Sequence, residues 1–458
     1  MRENINKYFE GLSIEDFNNT DTGNAKILAH IHGDEVRWCD ERGWMFFNGR
    51  YWESTSHVKI ESLARDVPKY LHEYASKIDE NDKRQAIAIQ SIRAESNSAI
   101  KAMANLLKSE PNIAVSVNKF DSDPWLLNLQ NGTIDLKTGL LRPHNRNDLI
   151  THIANAKYDP KAKAEKWTKY LDDVMCGDGD LVEYLQRYMG YILTGSTKEQ
   201  SFLFFSGSGA NGKSRFTETA AKMMGTYGSP LSANALVVKY GTQQTNELAG
   251  LAGLRYVYCG EVDSSKTIDS AMIKNWTGEE SLKCRFLFKE LFTLKPQFKL
   301  IYSANGDPKV KDDSYGFWRR CKKIPFKASF KDGDARRDPN LQDKLNIEID
   351  GILIWALDGL AKYLKEGIGN PQAVSNATHD YQTSMSDIRQ YLEEKTVRAD
   401  ESNLTLEDLH LNYVIWCEKN GETPITKKGL KKKLEEYGYE AGRVTKGTIV
   451  KGLVFKKT

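Results

Sequence analysis

Paired cysteines are absent from this chain of 458 residues. Its six cysteines, Cys39, Cys176, Cys259, Cys284, Cys321 and Cys417, lie far apart and form no C-x-x-C pair, which argues against a zinc site and a disulfide framework. A reducing, cytoplasmic setting fits that usage. No apolar run approaches the length needed to span a bilayer, so no membrane partner is expected. The opening residues, MRENINKYFEGLSIEDF, are polar and acidic, where a secretory signal needs a basic head and an apolar core. Only 12 prolines and no low-complexity tract leave no room for extended disorder. Strong charge of one sign is missing too, with 65 Lys and Arg against 62 Asp and Glu, a net +3.

What is present is a globular composition, 40% hydrophobic and 28% charged, at a length that calls for two to four domains. The small net charge hides an uneven distribution. Between residues 423 and 458, ten Lys and Arg face Glu435, Glu436 and Glu440, a local +7 that leaves the rest of the chain at −4. A basic terminal module on a near-neutral body suits nucleic acid, whose phosphates attract clustered cations through counterion release. A solvated basic helix has the same composition.

The chain is organised around SFLFFSGSGANGKSRFTETAAKMM, residues 201–224. An apolar run suited to a buried strand leads into GSGANGKS, and residues 215–224 carry helical spacing before Gly225, a C-cap residue. Gly207, Gly212, Lys213 and Ser214 satisfy G-x-x-x-x-G-K-[ST], the phosphate loop in which bare backbone N–H groups converge at a helix N-terminus. The loop residues Gly207, Ser208, Gly209, Ala210, Asn211, Gly212, Lys213, Ser214 and Arg215 are the candidate ATP contacts. Lys213 neutralises β and γ phosphates in such a loop, and Ser214 ligates Mg²⁺.

Around this centre, WCDERGWMFFNGRYWES (38–54) alternates aromatic and polar residues about Gly43 and Gly49, a hairpin pattern. Trp38, Trp44, Tyr51 and Trp52 are either core or platforms for single-stranded bases. Residues 61–108 carry helical periodicity. LLNLQNGTIDLKTGLLRPH (126–144) reads as a second hairpin, and 167–193 as helix interrupted at Cys176-Gly177-Asp178-Gly179. Downstream, RYVYC (255–259) predicts a strand ending at Glu261 and Asp263, where Glu261 can polarise the attacking water and Asp263 support the metal shell. Two surface carboxylates are the plain alternative. Residues 283–288 and 292–295 alternate as two strands with Lys289 and Glu290 at the turn, and 299–304 forms a third strand ending at Asn305. That amide can orient water or sense a γ-phosphate; Asn305-Gly306 equally makes an ordinary turn. In GFWRRCKKIPF (316–326), Arg319 and Arg320 offer an arginine finger acting in trans.

Phosphate loop, Glu261, Lys289, Asn305 and Arg320 stand in an order and spacing that resemble superfamily 3 helicases, of the phage/plasmid and poxvirus-type branch whose core is often fused to a primase. The stretches at 128–144, 183–200 and 344–367 resemble that family as well, and 38–52 more weakly. The resemblance implies an AAA+-like α/β P-loop ATPase core, with Gly207, Gly212, Lys213 and Ser214 as Walker A, Glu261 as the Walker B acid, Asn305 as sensor 1 and Arg320 as the finger. Lys289 falls at the hairpin that in the family projects into a hexamer's channel and tracks single-stranded DNA. Members often carry two adjacent acids, whereas Val262 separates Glu261 from Asp263 here.

The expected division is 1–118, an α/β N-terminal module; 119–195, a connecting domain; 196–330, the ATPase core; 331–398, a helical lid; and 399–458, a winged-helix domain whose Lys427, Lys428, Lys431, Lys432 and Lys433 face duplex DNA. The N-terminal module shows no cluster of metal-binding acids, so primase activity is not expected from it. The expectation is an ATP- and Mg²⁺-dependent replicative helicase of a phage, plasmid or mobile element, a ring-shaped and hexameric homo-oligomer in a bacterial cytoplasm. A separate primase or polymerase is its expected partner. The rivals are an origin-binding protein whose ATPase only switches assembly, and a signalling ATPase that never meets DNA.

Overall fold

The structure, a computed structural model, describes residues 18–238, 245–261, 263, 265–444 and 447–456. The opening 17 residues, Val262, Lys446 and Lys457, all used in the sequence reading, lie outside the described residues.

The central elements, in chain order, are helices α1 (Glu165–Val174) and α2 (Gly179–Leu193), strand β1 (Phe202–Ser206), helix α3 (Lys213–Met224), strands β2 (Gly228–Leu231), β3 (Tyr256–Glu261), β4 (Lys299–Ala304) and β5 (Cys321–Pro325), and helix α4 (Ile349–Glu366). The five strands form one sheet in the order β5-β1-β4-β3-β2, parallel at every pairing. A parallel sheet is covered on both faces, which is why FLFF and KLIYSA read as nearly continuous apolar runs. Alternation along β1 still sorts the side chains: Leu203 and Phe205 enter the core shared with α1, α2 and α4, while Phe202 and Phe204 enter the core on the other face.

Helix α4, the first long helix in the stretch read as a lid, is packed into that first core through Leu353, Ala356 and Leu360. It lies so close to α2 that a Cβ on Gly190 would sit 2.1 Å from the Leu360 nitrogen, and one on Gly359 2.0 Å from the Gln186 oxygen. Only glycine at both positions permits that approach. The C-terminal end of α2 is closed by two buried cations at the entry edge of the sheet. Arg255 donates to the Leu193 carbonyl, and Lys299 to those of Thr194, Ser196 and Gln297. Burial pushes the Lys299 ammonium well below its usual pKa.

Before the core, Val36–Cys39, Gly43–Phe47 and Trp52–Ser54 form an antiparallel meander under five helices from Asp21–His32 to Asn97–Leu106. Trp44 and Trp52 are only 4% and 0% exposed, so these two are core and not base platforms. A second meander, Leu126–Leu129, Gly132–Asp135 and Leu140–Arg142, covers residues 126–142. At the far end, helices Asp387–Lys395, Leu406–Asn420 and α5 (Lys427–Glu436) pack on a three-stranded antiparallel sheet in which Gly447–Phe455 lies between Thr396–Thr405 and Ala441–Val444. This unit grips the loop between β4 and β5. Arg389 donates to Asp313 at 3.1 Å, and the Tyr437 hydroxyl donates to the same carboxylate.

Candidate functional site

Strand β1 delivers the chain into residues 207–214 at the C-terminal edge of the sheet, and α3 starts at Lys213. The loop needs its glycines. Gly207, Gly209 and Gly212 have φ of 157°, 90° and 93°, and a Cβ on Gly207 would lie 2.1 Å from Asn211 Nδ2. Ala210 also adopts a left-handed φ of 47°, a strain that the sequence pattern does not announce. Ser208, Ala210 and Ser214 are exposed on this turn, where the first backbone N–H groups of α3 point outward.

Lys213 is 5% exposed, and its Nζ donates to Gly207 O at 2.6 Å, Asn211 Oδ1 at 3.2 Å and Asn305 Oδ1 at 3.2 Å. Asn305 in turn donates from Nδ2 to Glu261 Oε1 at 2.5 Å. Asn305 and Glu261 stand at the ends of β4 and β3, and Lys213 is brought beside them by the loop that follows β1, so one hydrogen-bonded chain crosses the edge of the sheet over three adjacent strands. Burial lowers the Lys213 pKa, and the Glu261 charge opposes that shift. Arg215 turns away to Glu218 at 3.2 Å and Gln342 at 3.4 Å.

Asp263 is not brought into this chain. It accepts from its near neighbour Ser265 N at 2.8 Å, which holds its carboxyl below the usual range, and no described contact joins it to Lys213 or Glu261. Among the described residues no group of three or more His, Cys, Asp or Glu is placed to hold a metal. One hydroxyl, Ser214, and one carboxylate, Glu261, are hard oxygen ligands too few for an all-protein cage. That donor set fits Mg²⁺ arriving on phosphate oxygens.

Arg320 lies at the other end of the sheet. Its carbonyl accepts from Phe202 N at 3.0 Å, at the start of β1, and its guanidinium donates to Gly316 O and, at 3.1 Å, to Gln200 Oε1. Arg319 donates to the same Gln200 oxygen. Nothing in the sequence singles out Gln200, whose backbone stands at a φ of 46°.

The hairpin carrying Lys289 exists, with shorter strands than the alternation predicts. Leu282–Cys284 pairs with Phe292–Leu294, and residues 285–291 form the loop. Tertiary packing overrides the alternation: Phe286 stacks on Phe292, and Cys284, Phe292 and Leu294 bury against Cys39, Met45, Trp52 and Phe120 of the N-terminal part. Lys289 is exposed, donates to Asp40 O at 3.1 Å and lies 5.9 Å from the Trp38 ring. Beside it, Phe288 is 94% exposed at a φ of 61°, an aromatic loop tip not singled out by the sequence reading.

On α5, Leu430 and Leu434 face the core while Lys427, Lys428 and Lys432 are exposed. Lys431 and Lys432 pair with Glu435 and Glu436 at 3.6 and 4.0 Å, and Lys433 reaches Glu436 at 2.9 Å. Exposed pairs of this kind are worth only about 0.3–0.5 kcal/mol each, so a competing phosphate can displace them. The phosphate-loop chain, the arginines, the hairpin lysine and the basic helix thus occupy four separate places on one subunit.

Residues 25–176 match the family described as D5 N terminal like, and residues 205–320 match a family of unknown function, DUF5906. "Putative helicase L207/L206" of Acanthamoeba polyphaga mimivirus is 28% identical over 355 residues, 72% of this chain and 37% of that protein. "Putative helicase 022R" of Frog virus 3 (isolate Goorha) is 28% identical over 286 residues, 57% of this chain and 29% of that protein. The chain therefore spans about a third of the length of these two relatives. They are proteins of viruses of eukaryotes, which lends no support to the expected bacterial host. The apo structure of the NrS-1 C terminal region (305-718) superposes with a TM-score of 0.53 at 11% identity, covering 95% of this chain and 99% of that one, a likeness of fold. No helix among the described residues is long and apolar enough to cross a membrane. Taken with the phosphate loop and the Lys213–Asn305–Glu261 chain, these matches support the resemblance to D5-like helicases of the primase-helicase family.

Proposed function

We propose that the chain is the motor part of an ATP-dependent DNA helicase that works as a ring, hexameric as in superfamily 3, on single-stranded DNA. The observation that carries this reading is the hydrogen-bonded chain from Lys213 through Asn305 to Glu261 at the end of a glycine-turned loop. ATP and Mg²⁺ supply the labile phosphoanhydride and the charge that draws electrons from it. The loop N–H groups bind phosphate, Lys213 exchanges its carbonyl and amide acceptors for phosphate oxygens, Ser214 and Glu261 hold the ion, and Glu261 orients water with Asn305 fixing its carboxylate. Asp263, bonded locally, serves at most an outer role. The organisation this reading takes is an N-terminal α/β module, a connecting region, the AAA+-like core, a helical segment that starts with the helix Leu341–Ile347 and continues through α4, and a winged-helix unit with α5 as its DNA-facing helix and the 441–455 hairpin as its wing.

The motor reading is tested at Lys289. Its ammonium stands exposed at a loop tip and gives up one backbone carbonyl and a distant Trp38 ring face when it moves, so it can grip a backbone phosphate without reading bases. Lys289→Ala should eliminate strand displacement and the stimulation of hydrolysis by single strands. Full unwinding by this variant would sink the assignment. If the parent protein hydrolyses ATP yet never unwinds, the assembly-switch reading takes its place.

Duplex binding is assigned to α5. Replacing Lys427, Lys428 and Lys432 by alanine should weaken duplex binding and flatten the log–log salt dependence by roughly 2–3 units, about 0.9 per lost phosphate contact. An unchanged slope in a titration from low to physiological salt would remove that helix from the interface.

A further inference from the structure

A cavity of about 850 Å³ opens directly beside the phosphate loop. Its floor is Ala210 and Gly212, one wall is α1 with Tyr170, and the other is the strap of residues 326–341 that leaves β5. The strap is stitched to the loop. Phe326 N donates to Ser206 O at 2.8 Å, Phe330 N donates to Ala210 O at 2.7 Å, and Asn211 Nδ2 donates to Phe326 O at 3.4 Å. Tyr170 is tied to the same turn, its hydroxyl donating to Gly212 O at 2.8 Å.

Within the strap, Phe330 packs one edge on the main core and lines the cavity, and the Arg336 guanidinium lies 4.9 Å from its ring centroid. Arg336 is exposed and forks onto Asp334 at 3.1 and 2.7 Å, with a further bond to the Ser329 carbonyl at 3.3 Å, solvent-facing contacts that a base entering over the ring has to displace. Seven Lys and Arg side chains line the cavity against three Asp. A flat aromatic face, an exposed guanidinium plane and a positive rim therefore meet at the mouth of a phosphate loop. That is the chemistry of a nucleoside 5′-triphosphate, an aromatic base joined to a polyanion through a polar sugar.

We propose that this cavity seats the nucleoside half of the triphosphate, with the base stacked between the Phe330 ring and the Arg336 guanidinium. The strap then reads nucleotide occupancy directly, because the residue that stacks on the base is hydrogen-bonded through its own backbone to the loop that holds the phosphates. The proposal rests on residues 207–214 being a phosphate loop, and the test separates the two.

Binding of ATP and of inorganic tripolyphosphate, each with Mg²⁺, is measured by calorimetry on the full chain. Phe330→Ala should weaken ATP by about tenfold or more, the range of losing one base–aromatic stack, and leave tripolyphosphate unchanged. Retained tripolyphosphate binding also certifies that the variant is folded. Phe330→Leu keeps most of the packing volume and should lose ATP to a similar degree. ATP affinity unchanged in either variant, or an equal loss for both ligands, overturns the stacking site. Lys213→Ala should weaken both ligands together; if it weakens neither, the phosphate-loop reading fails, whatever Phe330 does.

Discussion

Lys213→Ala is expected to abolish ATP hydrolysis, with turnover falling by at least about 10²–10³-fold, the loss typical of removing one preorganised charge-stabilising donor. The ammonium is buried and spends its three hydrogen bonds on neutral oxygens of Gly207, Asn211 and Asn305. Neutral partners hold it in place without cancelling its charge, so the full cation is available when phosphate oxygens arrive. The fold should survive, because those acceptors belong to a loop at the edge of the sheet, where water can replace the lost donor. A thermal midpoint within a few degrees of the parent's, with no measurable phosphate release, is the expected pair of results; near-wild-type turnover would remove the central claim. Glu261→Gln gives the complementary result. Its amide oxygen can still accept from Asn305 Nδ2, so the geometry persists while the charge goes. That variant should bind ATP and turn it over very slowly.

The parts of this site that were legible in the sequence are those written into local backbone chemistry. Gly207, Gly209 and Gly212 hold φ values that side chains rarely adopt, so the loop left a pattern. The continuous apolar runs of β1 and β4 left another, because a parallel strand is buried on both faces. The strap left none: KASFKDGDARRD (327–338) has the composition of any polar loop. Its position over the phosphate loop comes from β5 pairing beside β1 and delivering the chain back to the same edge. Gln200 is equally silent, since its role arises only where the start of β1 meets the start of β5. At 283–288 the alternation pointed to a strand, and packing against the N-terminal meander made a loop after Cys284. The aromatic pattern at 38–54 could not separate core from platform, a question decided by burial at Trp44 and Trp52.

The same pairing of β5 with β1 governs the expected behaviour of Arg320. In register, Cys321 stands opposite Phe202 and Pro325 opposite Ser206, so Arg320 lies a whole strand length, roughly 15 Å, from the phosphate loop of its own chain. Gln200 further holds both Arg319 and Arg320 at that far edge. In the ring proposed here, a finger so placed faces a neighbour's nucleotide and not its own. Arg320→Ala should therefore cost about 10³–10⁵ in turnover, the worth of a finger supplied in trans, while ATP binding persists. Mixing Arg320→Ala with Lys213→Ala should restore part of the activity, because some interfaces in a mixed ring join an intact loop on one subunit to an intact arginine on the next. Recovery should depend on protein concentration and vanish under dilution that separates subunits. If subunits exchange, as followed by fluorescence transfer between labelled chains, and turnover still never rises above that of either variant alone, the shared site is wrong and Arg320 supports only its own sheet edge through Gly316 and Gln200.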